Sequence, residues 1–140
     1  MRLVPPGRRP GIFLFEFVGT LALLLMCLVF LAEFRDSSSA VTLALAVFCT
    51  PISASYLVNV VSVPEVSDAA FLVRYGPWTR HIQPERVRRV RIGEFLPVVY
   101  VFESGRPMNY RIGLRTFTDG DGLERAIRSW AAANGVTVHG

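Results

Sequence analysis

Glu16 is the first residue of this sequence that could do chemistry, because it is a carboxylate inside an apolar run, residues 12–32 (IFLFEFVGTLALLLMCLVFLA). An ionisable side chain in such a stretch is costly enough to mark a functional group by default, in an ion pathway or a proton relay. About one turn into the run, it is also close enough to the end to reach toward lipid headgroups or to pair with Arg8 or Arg9. The other titratable groups form weaker constellations. His81 stands beside Arg80 and His139 is penultimate, and neither has a His, Cys, Asp or Glu at metal-ligand spacing. Cys27 and Cys49 lie inside apolar runs, where a thiol serves as a small packing residue, and they make neither a disulfide framework nor a redox motif. Asp119 and Asp121 are close, but Asp121 with Glu124 three residues on reads as a capping box, and so few carboxylates would hold calcium or magnesium poorly. No Gly-x-Ser-x-Gly elbow, phosphate-cradling loop or dinucleotide fingerprint is present. The sequence therefore offers no catalytic residue, no metal site, no cofactor site and no identifiable small-molecule substrate.

What remains is anion recognition. Arg86, Arg88, Arg89 and Arg91 alternate with Val87, Val90 and Ile92, which puts charge on both faces of a strand unless a bulge re-aims one side. Two readings stand. One is a solvated edge strand whose charges discourage edge-to-edge pairing. The other is an anion-binding surface near a membrane, where each basic residue beside an anionic leaflet is worth about 1 kcal/mol. Arg80 and Trp78 extend this second reading, with Trp78 either at headgroup level or buried. All 15 strongly basic residues are arginine and none is lysine, which codon preference explains as readily as a demand for bidentate contacts. The pI of 9.7 suits nucleic acid, but the chain has no recognition helix and no paired stacking aromatics, so nucleic acid is not an expected partner.

These residues are positioned by two different halves. The chain is 51% hydrophobic yet 19% charged. Between residues 12 and 63 the charged side chains are Glu16, Glu33, Arg35 and Asp36 alone; nearly all other charge lies after Pro64. Residues 12–32 and 40–61 are each about twenty residues long, enough to cross a hydrocarbon core of about 30 Å, and residues 33–39 make a short polar turn between them. Because backbone groups in lipid must be satisfied within a segment, the pair reads as a helical hairpin. The first run exceeds a typical signal-peptide core and lacks a small-x-small site before the turn. Arg2, Arg8 and Arg9 precede the first span and more arginines follow the second, so both termini are expected to be cytoplasmic. Pro51 should kink the second helix, with Thr50, Ser53 and Ser55 offering hydroxyls to freed backbone groups, while Gly19, Ala22, Ser53 and Ser55 would allow close helix contact.

After Pro64 the pattern turns to short strands. Residues 69–75, 78–82, 86–95, 97–103 and 107–115 read as strands, punctuated by Gly76-Pro77 and Ser104-Gly105-Arg106, with Gly93 marking a bend. Met108, Tyr110, Ile112 and Leu114 alternate onto one face. A helix beginning near Asp121 carries the apolar stripe Leu123, Ile127, Trp130 and Ala131 and stops at Asn134-Gly135.

The passage from Tyr75 to Val90 (YGPWTRHIQPERVRRV), set behind two apolar runs and before one terminal amphipathic helix, resembles the small bacterial membrane proteins with a pleckstrin-homology-like domain. The resemblance implies an α+β domain, an antiparallel PH-like sheet or barrel capped by one C-terminal helix, with one strand reduced or supplied by residues 57–63. It also implies binding of protein or lipid headgroups without catalysis. The expected organisation is a cytoplasmic segment at 1–11, a transmembrane hairpin at 12–63 and a cytoplasmic PH-like domain at 64–140, in the inner membrane. The expected role is an accessory, assembly or scaffolding subunit among other membrane protein subunits. The alternatives are an anionic-lipid-binding module using Arg86, Arg88, Arg89 and Arg91, and a membrane enzyme or transporter component using Glu16.

Overall fold

The computed structural model describes residues 7–37 and 40–140. The 28 residues of α1 (Pro10–Ser37) and the 22 of α2 (Ala40–Val61) form two packed helices, about 42 Å and 33 Å long at 1.5 Å per residue. Pro10 opens α1, where a missing N–H costs nothing. At its far end α1 absorbs residues 33–37, which the apolar pattern alone had given to the turn. No glycine or proline stands there to stop the helix, and propagation needs only one bond per residue fixed. Ser38 and Ser39 lie outside the described residues, as do Arg2 and the side chains of Arg35 and Asp36.

Contact between the helices is made by Cys27, Ala46 and Ser53, all buried, with Cys27 Sγ 3.7 Å from Ser53 Oγ. Gly19 and Ala22 are exposed instead: at about 100° per residue, Ala22 lies about 140° around the helix from Cys27. Helix α2 continues through Pro51, but the Thr50 hydroxyl is buried without a hydrogen-bond partner, so it does not satisfy the backbone there. Only 6% of the most apolar window of α1 and 17% of that of α2 is buried. Two helices long and apolar enough to cross a membrane thus leave most of their side chains uncovered.

Strand β1 (Val63–Val66) follows directly after Ser62. The sequence pattern had offered residues 57–63 as this strand, but 57–61 stay helical, continuing α2. Pro64 is tolerated because β1 is the edge of a three-stranded antiparallel sheet, ordered β1-β2-β3 with β2 at Phe71–Tyr75 and β3 at Trp78–His81. The β2–β3 turn puts Gly76 at φ +58° ahead of Pro77, the arrangement of a two-residue hairpin turn that only glycine enters freely. A second sheet is ordered β6-β5-β4-β7, with β4 at Val87–Ile92, β5 at Val98–Glu103, β6 at Tyr110–Gly113 and β7 at Val138–His139. Its pairings are antiparallel except for β7, which runs parallel to β4.

Helix α3 (Gly120–Ala133) is capped by Asp119, whose Oδ1 accepts from the Gly122 N–H at 2.9 Å. Asp121 is therefore not the cap but a first-turn residue, where its charge favours the helix dipole. Leu123, Ile127, Trp130 and Ala131 are all buried, against Phe71, Val73, Val90, Val101 and their neighbours. The Trp130 ring meets Phe71 edge-on, at 5.2 Å between centroids and 85° between planes. The fold is thus a pair of long apolar helices followed by two small sheets and one C-terminal helix.

Candidate functional site

Residues 7–9, ahead of α1, and Ser62, after α2, join the helices to the domain. Arg9 donates its N–H to the Thr116 carbonyl and Thr118 donates to the Gly7 carbonyl, so residues 7–9 pair with 116–118 before α1 begins. The Arg8 guanidinium reaches the Ser62 carbonyl at the end of α2 and lies over the rings of Phe13 and Phe117, 4.5 Å and 5.9 Å from their centroids. Burial lowers the Arg8 pKa, and the proximity of Tyr110 opposes that shift. Ser62 Oγ donates to the Asn59 carbonyl at 2.8 Å, which leaves the Tyr110 hydroxyl as donor in the 2.7 Å bond between Tyr110 and Ser62.

Glu16 belongs to this collar. Its Oε2 accepts from Thr116 Oγ1 at 2.9 Å, and it forms no ion pair among the described residues. The expected pairing with Arg8 or Arg9 does not occur, because Arg8 is engaged at Ser62 and the Thr116 turn occupies the face that Glu16 presents. Glu16→Gln keeps an acceptor and is expected to leave stability nearly unchanged. Glu16→Leu strands the buried Thr116 hydroxyl and should cost about 1–3 kcal/mol in thermal unfolding. Equal losses for both variants would contradict this assignment.

Burial, chiefly, raises the Tyr110 pKa, with the nearby Arg8 charge working against that shift. A phenol held neutral in the fold adds stability that is complete below the unfolded value of about 10 and fades as pH rises above it. In an alkaline spectrophotometric titration, one of the four tyrosines is expected to ionise only as the domain unfolds, and Tyr110→Phe should abolish that component. Ordinary titration of all four in the folded protein would contradict it.

The arginine cluster is sorted by a bulge in β4. Val87 pairs with Glu103, and the next pair is Arg89 with Phe102, so Arg88 is the extra residue. Without it, Arg88 would share the inward face with Val90 and Ile92; with it, Arg88, Arg89 and Arg91 are all exposed. Arg88 Nε donates to Ser104 Oγ at 3.1 Å, and the Arg89 guanidinium lies 4.6 Å from the Phe102 ring centroid. Arg91 stands opposite Tyr100, and Tyr100 opposite Arg111, whose guanidinium lies 5.3 Å from the Tyr56 ring of α2. The result is an outer sheet face of arginines and half-buried aromatics tied at one side to α2.

The remaining candidates go elsewhere. Arg80 is bound to the Glu103 carboxylate, so it is not available to an outside anion as Arg88, Arg89 and Arg91 are. Arg86 is exposed in the turn Pro84–Arg86, its carbonyl accepting from the Ser104 N–H at 2.7 Å. Trp78 is 75% exposed at the β2–β3 turn, in the other sheet from the β4 arginines. His81 is exposed. No group of three potential metal ligands occurs among the described residues. Sequence reasoning passed over the collar of Arg8, Ser62, Tyr110 and Thr116; its one visible sign was a tyrosine on a buried face, whose hydroxyl needs a partner. Comparisons with family models, with curated proteins and with solved structures find no match for this chain.

Proposed function

We propose that this chain is a multi-pass inner-membrane protein whose PH-like domain serves, without catalysis, as an accessory or assembly module of a larger membrane protein complex. The observation that carries the reading is that two long apolar helices have only 6% and 17% of their most apolar windows buried, a state that water would penalise and lipid would not. Their lengths fit. Helix α2, about 33 Å, matches a hydrocarbon core, and α1, about 42 Å, matches a bilayer with its headgroup layers. Glu16, in the second turn of α1 and hydrogen-bonded to Thr116 of the domain, then falls at the hydrocarbon boundary. The arginine distribution favours both termini in the cytoplasm.

A domain fastened to its anchor by a buried polar collar holds its outer sheet face at a fixed height above the bilayer. Arg88, Arg89 and Arg91 have no carboxylate partner among the described residues, and their charge suits an acidic segment of a neighbouring subunit. Mild-detergent solubilisation and native electrophoresis should find the chain migrating with larger proteins. Arg89→Glu with Arg91→Glu should release it as a small, folded species. A solitary wild-type species would sink the assembly role.

The same unpaired arginines support a second reading, binding of anionic headgroups. It predicts anionic lipid carried through purification and lost in the charge-reversed variant, with no dependence on partner proteins.

A further inference from the structure

Two apolar tips on the domain are left uncovered. One is Phe95-Leu96 in the β4–β5 loop, 93% and 62% exposed; the other is Trp78 at the β2–β3 turn. Isolated exposed hydrophobics need no explanation, but each of these two lies on the side of the domain where a helix meets it. Pro97, next to Leu96, accepts from the Leu114 N–H at 2.8 Å and lines one hollow with Arg9, the residue before α1. The loop that carries Phe95 and Leu96 thus enters β5 on the side of the fold where α1 begins. Tyr75, the register partner of Trp78, lines another hollow with Ser55, Val58 and Asn59, in the last two turns of α2. The Trp78 turn therefore stands beside the end of α2. One tip thus lies on the side of α1 and the other on the side of α2.

Both tips are also built to hold their shape. Gly93 donates its N–H to the Val98 carbonyl at 2.9 Å, and a Cβ there would come within 2.5 Å of the Leu96 carbonyl, so the loop closes too tightly for any other residue. The Trp78 turn is fixed by Gly76 and Pro77. Arginine lies near each apolar tip: Arg91 lines a hollow with Phe95 and Leu96, and Arg80 and Arg106 line that with Tyr75. Aromatic side chains beside arginine are the composition that settles at a membrane–water boundary.

We infer that Trp78 on one side of the hairpin and Phe95 with Leu96 on the other rest in the lipid headgroup layer, seating the domain on the bilayer and setting the tilt of its arginine face. The occupant of both tips is lipid. A protein would have to cover two separate patches at the ends of two helices, whereas a bilayer crossed by those helices meets both at once. The inference rests on the reading of α1 and α2 as membrane spans.

Native Trp78 is the probe, since Trp130 is buried in the core. The full chain is reconstituted into phosphatidylcholine–phosphatidylglycerol vesicles whose acyl chains are brominated near the glycerol end, with unbrominated vesicles as reference. Emission from Trp78 should be lost in the brominated vesicles, and the loss should vanish in Trp78→Phe. Phe95→Trp placed in the Trp78→Phe background should restore it, and Leu96→Trp serves as a second reporter at the same tip. Emission unchanged by bromine at either tip, with aqueous acrylamide quenching it instead, overturns the inference. Retention of each variant in carbonate-washed vesicles is scored in parallel. A chain that stays in the vesicles with unquenched tips refutes the seating alone, whereas a chain washed out refutes the spans on which it rests.

Discussion

Trp130→Ala is expected to remove about 3–5 kcal/mol from the C-terminal domain, the range for deleting a large buried aromatic. Trp130 is the largest of the fully buried side chains, and it sits where α3 crosses the Phe71 ring. Few small domains have more than 5–15 kcal/mol in hand, so the variant should be largely unfolded on mild warming. Ile127, Ala131 and Phe71 belong to the same buried core, so the alanine variant opens a cavity among packed side chains. Trp130→Phe keeps the edge-on contact with Phe71 and should lose less than half as much. Urea unfolding followed by far-ultraviolet circular dichroism reads both. A loss below about 1 kcal/mol for the alanine variant would mean that α3 does not form the lid of this core.

The second large effect separates lipid from water at one residue. Leu25 lies near the middle of α1 and is 53% exposed. If α1 crosses a membrane, an arginine there costs about 2.5–3.5 kcal/mol, which is roughly 60-fold to 400-fold in the insertion equilibrium. If the same helix stood in water, an exposed Leu→Arg change would lie within about 0.5 kcal/mol of neutral and would raise solubility. Translocon insertion of α1 as a test segment, with and without Leu25→Arg, measures the difference. A drop of the stated size supports the spanning role, and no drop removes it.

How much of this was legible in the sequence depended on the range of the interactions. The two helices were visible because apolar run length is local information, and so was the α3 stripe of Leu123, Ile127, Trp130 and Ala131, every member of which is buried. Alternation placed Tyr110, Ile112 and Leu114 on the inward face, where all three are buried, but Met108, which it put with them, is 37% exposed because β6 begins only at Tyr110. The ends of elements were less accessible. Residues 33–37 are polar but have nothing to break a helix, and β1 is four residues long with a proline in it. Capping moved from Asp121 to Asp119, a choice between two residues of the same type that only the path of the chain decides.

The candidate site was legible in its parts but not in its arrangement. A bulge in β4 was one of the stated options, yet only the pairing with β5 places it at Arg88. Arg80 looked as free as its neighbours, although a carboxylate 23 positions away, Glu103, binds it. The collar is the extreme case. Ser62 and Tyr110 are 48 positions apart, and Glu16 and Thr116 are 100 apart, so neither hydrogen bond leaves a pattern in any local window. Glu16 advertised a polar contact; its partner could not be named from the chain alone.

The claim on which the rest depends is that α1 and α2 live in hydrocarbon. Extraction of membranes from cells expressing the full chain with alkaline carbonate tests it most directly. The chain should stay in the membrane pellet and be released only by detergent. Recovery of intact, folded chain in the carbonate supernatant would contradict it.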